Sequence, residues 1–196
     1  MRKFVILFVC LFAAAGVVYA QTPNYGDVFF GYSYSGGDVF THSPLYAPQS
    51  HGIGMNGWEG SVEGKVGPWV GLVFDLSGHH GSHDFLFCPP PGLGVACGQV
   101  NVHASEHTYL LGPQVSFSEG RFSPFVHVLV GVAHLADNHG GVSNSDNSLG
   151  VAAGGGVDYR LIDHVAARLQ LDDMHTHFFG DTHNHLRLSL GLDVRF

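Results

Sequence analysis

Residues 186–196 read LRLSLGLDVRF, and this stretch decides the fold. Every second residue from Leu186 to Phe196 is apolar, whereas the positions between them carry arginine, serine, glycine and aspartate. A period of two places alternate side chains on opposite faces of a β-strand. The segment therefore predicts a strand with one unbroken apolar face, one polar face and an aromatic residue at its end.

The same alternation recurs along the chain in segments of roughly 9–12 residues, the length that crosses a bilayer when a strand is tilted. The predicted strands span residues 27–35, 57–66, 69–77, 106–117, 125–135, 149–160, 164–173 and 186–196. A composition with 28 glycines and 12% aromatic residues suits a protein built from many strands. The pattern predicts an all-β protein with eight antiparallel strands.

The connections between these strands alternate between short and long. Short turns are predicted at residues 64–68, 118–124 and 160–163, and long polar loops at 36–54, 78–101, 136–146 and 175–184. Outer-membrane barrels have this layout, with short turns in the periplasm and long loops outside the cell. We therefore predict an up-and-down transmembrane barrel whose apolar rows face lipid and whose polar rows face the lumen.

Residues 1–20, MRKFVILFVCLFAAAGVVYA, have a basic start, an apolar run and small residues before a cleavage point. This is the pattern of a secretory signal peptide, so we expect cleavage after Ala20 and a barrel domain over residues 21–196. The leader removes two of the eight basic residues and no acids, so the net charge changes from −8 to −10. A charge of this sign argues against nucleic acid or anionic lipid as the main partner.

A soluble eight-stranded ligand-binding barrel is the alternative to a membrane barrel. It would place the apolar rows inside and would need an exterior rich in lysine and glutamate. The polar rows here are mostly glycine and serine with a few charges, which is too little to solvate an exterior. The signal peptide, the loop lengths and the polar rows together favour the membrane barrel.

The leader, the eight alternating segments and the final LRLSLGLDVRF resemble the small eight-stranded outer-membrane barrels of the OmpA/OmpX type. The resemblance implies an integral protein of the outer membrane of a Gram-negative-type bacterium. It implies contact with outer-membrane lipid and lipopolysaccharide, and a monomer. In that family the last strand is the assembly signal read by the outer-membrane insertion machinery. The matching positions are Leu190, Leu192, Val194 and Phe196.

The predicted lumen face is strongly charged. An eight-stranded barrel has an interior just wide enough for side chains, so a packed network of ion pairs is expected, with a narrow gated channel as the alternative. The predicted lumen-facing charges are Glu59, Glu63, Lys65, Asp75, Glu106, Asp158, Arg160, Arg168, Asp172, Arg187, Asp193 and Arg195.

The chain has 15 histidines, most of them in or beside the predicted long loops. Two clusters have spacings that could ligate a divalent metal. The candidates are His79, His80 and His83 in the first cluster, and His175, His177, His183 and His185 in the second. The alternative is that these histidines are loop residues in a lysine-poor chain, which raise the surface charge in acid. No metal or cofactor site is assigned.

Two cysteines follow the leader, Cys88 and Cys97, on either side of the stretch PPPGLGVA. A pair of cysteines in an exported protein is expected to form a disulfide, and two free thiols are the alternative.

The stretch HASEH raises the alternative of a lipid A-modifying hydrolase, because His103 and Ser105 share a strand face. Glu106 falls on the opposite face, and a triad is defined by its geometry rather than by residue order. The sequence therefore predicts no catalytic residue. The expected function is a non-enzymatic structural or surface-interaction role through four long extracellular loops and an external ligand. The hydrolase and a loop-based metal binder remain the alternatives.

Overall fold

The computed structural model describes residues 25–38, 52–87, 98–139, 142–178 and 181–196. Eight strands each pair antiparallel with the next, and the last returns to the first, so the sheet is a closed barrel. The strands are β1 (Gly26–Asp38), β2 (Gly52–Lys65), β3 (Val70–Phe87), β4 (Gly98–Ser116), β5 (Phe122–His139), β6 (Val142–Ile162), β7 (Val165–Phe178) and β8 (Asp181–Arg195). The predicted fold class is confirmed. The predicted signal peptide lies outside the described residues.

The seam between β1 and β8 closes through the backbone of the last residue. The amides of Tyr25 and Gly26 donate to the carbonyl oxygen of Phe196 at 2.8 and 3.2 Å. The amide of Phe196 donates to the carbonyl of Gly26 at 3.0 Å. Closure leaves no sheet edge, so the backbone groups of β1 and β8 pair with each other and need no water.

The strands are longer than predicted, with 13 residues in β1 and 21 in β6. Much of the predicted long loops at 78–101, 136–146 and 175–184 is strand instead: β3 continues to Phe87, and β5 continues to His139. Hydrophobic periodicity does not reveal these extensions, because they lie beyond the apolar rows. A ladder needs only backbone pairing, so the hairpins continue after the period-two pattern has ended.

The barrel has two different ends. At one end, called the turn end, the strands join through residues 66–69, 117–121 and 163–164, and the chain terminus lies there too. The opposite, loop end carries the connections 39–51, 88–97, 140–141 and 179–180, which are outside the described residues. The half of the barrel next to each end is called the turn half or the loop half.

The two faces of the strands are distributed as predicted. Leu190 is 59% exposed and Val128 is 56% exposed on the outside, whereas Glu59 and Arg187 are at most 1% exposed in the lumen. This is the reverse of a soluble barrel. The lumen also holds one small apolar cluster, formed by Val73, Leu110, Leu129, Ala152 and Met174. Within the described ranges, no helix has the length and apolarity of a membrane span.

Candidate functional site

The lumen holds the densest group of charged side chains in the described structure, and two buried arginines organise it. Alternation along β7 and β8 places Arg168 and Arg187 on the inner face. Both arginines are at most 2% exposed. A buried guanidinium is tolerated only when its donors meet carboxylates or other acceptors, so the partners of each arginine define the site.

Arg168 is the centre of the turn half. Its Nε and Nη2 donate to the two carboxylate oxygens of Asp158 at 2.7 and 2.9 Å, which is a bidentate pair. Nη2 also lies 3.3 Å from Oδ1 of Asp27 and 3.2 Å from Oδ1 of Asp193. The guanidinium stacks near the rings of Phe29 and Phe125, 5.3 and 4.6 Å from their centroids. One cation thus joins carboxylates from β1, β6 and β8.

Two further cations close the turn end. Arg195 contacts Asp158 at 3.0 Å and Asp193 at 3.1 Å. Lys65 donates to Glu63 at 2.6 Å and to Ser116 at 2.8 Å. Both positions agree with the predicted lumen set.

Arg160 departs from the predicted lumen set. It is half-buried, and its Nη2 donates to the carbonyl of Gly120 in the turn between β4 and β5. The prediction that it joins the lumen charges was therefore wrong. The side chain binds the carbonyl of this turn instead of a lumen carboxylate.

Arg187 is the centre at mid-barrel. Its Nη1 donates to Asp75 at 2.9 Å, and its Nη2 donates to Asp172 at 2.7 Å. Nε lies 3.3 Å from Oε2 of Glu59. Gly154 makes room for this cluster, because a Cβ at that position would collide with the carboxylate of Asp172. Three carboxylates from three different strands therefore meet one guanidinium.

His127, Gln114 and Gln170 extend the hydrogen-bond network around the carboxylates, and they are not among the predicted lumen charges. His127 Nε2 lies 2.7 Å from Asp172 Oδ1. Gln170 donates to Glu59 at 2.7 Å and to Asp172 at 2.8 Å. Gln114 donates to Glu63 at 2.7 Å. The period of two places Gln114 and Gln170 on the polar rows. It gives the face of each side chain but not the residue to which the side chain bonds.

The loop half of the lumen is less completely paired. His79 lies 2.9 Å from Ser33 Oγ, and Ser189 donates to Ser33 at 2.9 Å and also to Glu59. His185 lies 3.7 Å from Glu106. Among the described residues, three buried polar atoms of this half have no hydrogen-bond partner. They are Ser35 Oγ, Glu106 Oε1 and Thr176 Oγ1.

The predicted metal ligands are distributed over both faces. His79 is buried in the lumen, while its neighbour His80 points outward; His175 and His177 also point outward. His185 is half-buried beside Glu106. The side chains of His83 and His183 lie outside the described residues, as do Cys88 and Cys97. In the described part of the chain, no group of three or more His, Cys, Asp or Glu is arranged to hold a metal ion.

The residues of the hydrolase alternative are also separated. His103 is exposed and Ser105 lies on the same outward face, where its hydroxyl donates to the carbonyl of Ala136 at 3.4 Å. Glu106 is buried on the lumen side. The sheet itself therefore keeps this carboxylate away from the other two groups.

The sequence and the structure were compared with known proteins. The sequence model of the family described as "Outer membrane protein beta-barrel domain" matches residues 4–196. The structure is similar to Ail, the attachment invasion locus protein of Yersinia pestis, with a TM-score of 0.59 and 11% identity over 89% of this chain and 100% of Ail. It is also similar to Neisserial surface protein A, with a TM-score of 0.59 and 10% identity over 90% of this chain and 100% of that protein.

A third solved structure is the outer-membrane protease OmpT from Escherichia coli, with a TM-score of 0.50 and 7% identity over 91% of this chain and 99% of OmpT. No curated protein sequence matches significantly. At these identities the structural likeness shows the fold alone.

Proposed function

Because the chain belongs to the outer membrane protein beta-barrel domain family, we propose that it is a non-enzymatic surface-interaction protein that acts through its extracellular connections. It is an integral protein of the outer membrane. The observation that carries the proposal is the lumen: two buried arginines together bind carboxylates from six of the eight strands. Because these side chains fill the lumen, the groups that an external molecule can reach lie at the ends of the barrel and on its outer wall.

The proposed orientation follows how far the hairpins reach beyond the apolar rows. At the loop end the chain continues well past them, partly as strand, as in β3 to Phe87 and β5 to His139, so this end faces the outside of the cell and the turn end faces the periplasm. Protease added to intact cells should cut between residues 78 and 102 and spare 66–69, 118–123 and 161–163. Cleavage at the turns with the loop end intact would reverse this orientation.

Maturation and assembly belong to the same proposal. Residues 1–20 are removed after export, and Cys88 and Cys97 form a disulfide in the oxidising environment outside the inner membrane. The insertion machinery reads the last strand through Leu190, Leu192, Val194 and Phe196, and the product is a monomer in contact with outer-membrane lipid and lipopolysaccharide.

An enzymatic role has less support. OmpT shares the fold at 7% identity, which carries no catalytic residue over to this chain. The separation of Glu106 from His103 and Ser105 weighs against a triad built from these three residues. Metal binding by the clustered histidines stays a prediction, and zinc, copper or nickel titration at neutral pH tests it.

Replacement of the connections tests the proposed function. Residues 39–51 and 88–97 are replaced by short Gly-Ser linkers, and heat-modifiable migration verifies that each barrel has folded. Cells that carry the wild-type barrel should bind a ligand from the set of probes, and cells that carry a linker variant should not. Ail was crystallised with sucrose octasulfate, a heparin analogue, so sulfated glycans are a suitable first set of probes. Equal binding by the linker variants, or hydrolysis of lipid A by the purified barrel, would contradict the proposal.

A further inference from the structure

The permanent cations of the chain avoid the loop half. Outside the leader the sequence has six lysines and arginines, because two of the eight are Arg2 and Lys3. Two of the six, Arg168 and Arg187, are buried in the lumen. The other four are at the turn end, and they are Lys65, Arg121, Arg160 and Arg195. At the loop end and in its connections, the sequence therefore has histidine and neither lysine nor arginine.

Three of these histidines form a row on the outer wall. His80, His107 and His134 lie on β3, β4 and β5 and point away from the lumen. The rings of His80 and His107 are 5.7 Å apart and meet edge to face, and His107 is the cross-strand partner of His134. Asn56 on β2 and Asn147 on β6 flank them as partners of His80 and His134. These three histidines are called the histidine row.

The histidine row lies just beyond the apolar wall. The next outward residues toward the turn end include Trp58, Tyr109 and Val132, which are 40%, 52% and 50% exposed. Tryptophan and tyrosine on an outer wall mark the boundary between the acyl chains and the headgroups. On β3 the residues from Val70 to Gly78 already provide the roughly 9–11 residues of a membrane crossing. In the proposed orientation, the row is therefore at the depth of the outer-leaflet headgroups.

We propose that the histidine row docks the phosphorylated sugar headgroup of an outer-leaflet glycolipid, and that it does so in acid. A protonated imidazole offers two N–H donors and a positive charge, which suit a phosphate group. Histidine is the side chain that acquires this charge between about pH 8 and pH 5. At neutral pH the net negative charge of the chain opposes such a contact; in acid the row becomes a local cationic band.

No carboxylate faces the row from the described side chains of the neighbouring strands. From β2 the row meets Asn56, which accepts a hydrogen bond from the hydroxyl of Tyr32 on β1. On β4, Ser105 lies opposite His80, with His103 further toward the loop end. From β6, Asn147 lies 2.7 Å from His134 Nδ1.

The nearest described carboxylates point elsewhere. Glu106 is buried in the lumen, and Asp146 accepts from the backbone amide of Asn147 at 2.9 Å. Asp173 lies with His175 on β7, beyond β6. Among the described side chains, the charge that the row acquires in acid therefore meets no carboxylate, and we infer that an external anion meets it.

The test measures the apparent Kd of bisphosphorylated lipid A for the folded barrel in uncharged detergent micelles, by native mass spectrometry. For the wild type we expect about tenfold tighter binding at roughly pH 5.5 than at roughly pH 7.5, because each exposed ion pair adds little but three act together. The pH effect should disappear with dephosphorylated lipid A. It should also weaken at about 0.5 M salt, because these charges are exposed to solvent.

Two triple variants and one control locate the effect. H80N/H107N/H134N should bind lipid A equally at both pH values, and H80K/H107K/H134K should bind tightly at both. His164→Asn, an exposed histidine in the turn between β6 and β7, should behave as the wild type. A full pH effect in the asparagine variant, or the same effect with dephosphorylated lipid A or with a soluble sulfated glycan in its place, would overturn the proposal.

The row is on the wall and not in the connections. The Gly-Ser linker variants should therefore keep the lipid effect even if the proposed surface interaction fails.

Discussion

The two halves of the barrel hold their polar groups in different ways. In the turn half, Arg168 meets Asp158, Asp27 and Asp193, and two aromatic rings flank its guanidinium. In the loop half, histidine and hydroxyl groups replace the arginines, and Ser35 and Thr176 have buried hydroxyls with no hydrogen-bond partner among the described residues. The turn half is organised by a guanidinium among carboxylates, and among its described buried polar atoms Asp193 Oδ1 alone makes no hydrogen bond, although it lies 3.2 Å from Arg168 Nη2. The loop half has three such atoms and no guanidinium.

This difference corresponds to two tasks. Barrel closure and strand order need directed contacts between distant strands, and a guanidinium supplies them because it stays charged at physiological pH and its donors can meet several carboxylates at once. A surface that meets the environment can use groups that respond to it, and imidazole is the side chain suited to this. The contrast can be tested by pairs of substitutions with matched chemistry.

The largest effect is expected at the seam of the turn end. Phe196→Asp should abolish insertion into the outer membrane and leave export to the periplasm intact, because the last strand and its terminal aromatic residue are the proposed assembly signal. Phe122→Asp is the matched control: this phenylalanine is 54% exposed at the turn end, against 62% for Phe196. A charge near the interface costs only about 0–1 kcal/mol, so the control should assemble.

The amount of heat-modifiable barrel in purified outer membranes measures both variants. Equal assembly of Phe196→Asp and Phe122→Asp would remove the special role of the last residue. It would leave only the general cost of a charge on the lipid face.

The arginine centres should give the next largest effect. Arg168→Leu and Arg187→Leu should each lower the free energy of unfolding by roughly 3–5 kcal/mol, because each leaves buried carboxylates without their cation. Urea unfolding in detergent micelles, followed by tryptophan fluorescence, measures the change. Arg121→Leu, at an exposed turn residue, is the control and should change stability by about 0.5 kcal/mol or less. A loss below about 1 kcal/mol for both buried arginines would contradict the role given to the network.

The alternation of the sequence was enough to predict the face of most residues in the segments with an apolar row, because burial in a barrel follows the period of two. It correctly placed Glu59, Asp75 and Arg187 in the lumen. It could not predict which charges pair. Arg168 and Asp27 are 141 residues apart in the chain, and their contact depends on closure and on side-chain reach across the lumen.

Two features of the loop half could not be predicted from the hydrophobic period of two. The long strand extensions have no apolar row to mark them, so the sequence HHGSH predicts a loop where the structure has strand. The spacing of the histidines in that stretch predicts one metal cluster, but a strand places His79 and His80 on opposite faces. Once the extension is known, the same period of two gives the correct facing.

The proposed disulfide should have an intermediate effect, confined to the loop end. Without reductant, an alkylating reagent should find no free thiol in the denatured mature protein, and with reductant it should label Cys88 and Cys97. Closing a loop of this size is worth about 2–3 kcal/mol in the chain-entropy treatment. C88A/C97A should lower stability by up to that amount and still insert. Two labelled thiols without reductant would show that the pair is free.

The smallest effect, and the sharpest comparison, comes from one substitution made at two buried threonines. Thr108 and Thr176 are both 2% exposed in the lumen. The hydroxyl of Thr108 shares a hydrogen bond of 2.6 Å with Ser77, whereas that of Thr176 has no partner among the described residues. Thr108→Val leaves Ser77 unsatisfied and should cost about 1–2 kcal/mol of unfolding free energy.

Thr176→Val replaces a hydroxyl that makes no such bond with a methyl group of similar size, so it should be neutral or stabilising by up to about 1 kcal/mol. Urea unfolding of the two variants under the same conditions gives the difference directly. A loss for Thr176→Val equal to that of Thr108→Val would mean that the Thr176 hydroxyl is fully satisfied. The loop half would then be bonded as completely as the turn half, and the contrast between them would rest on histidine alone.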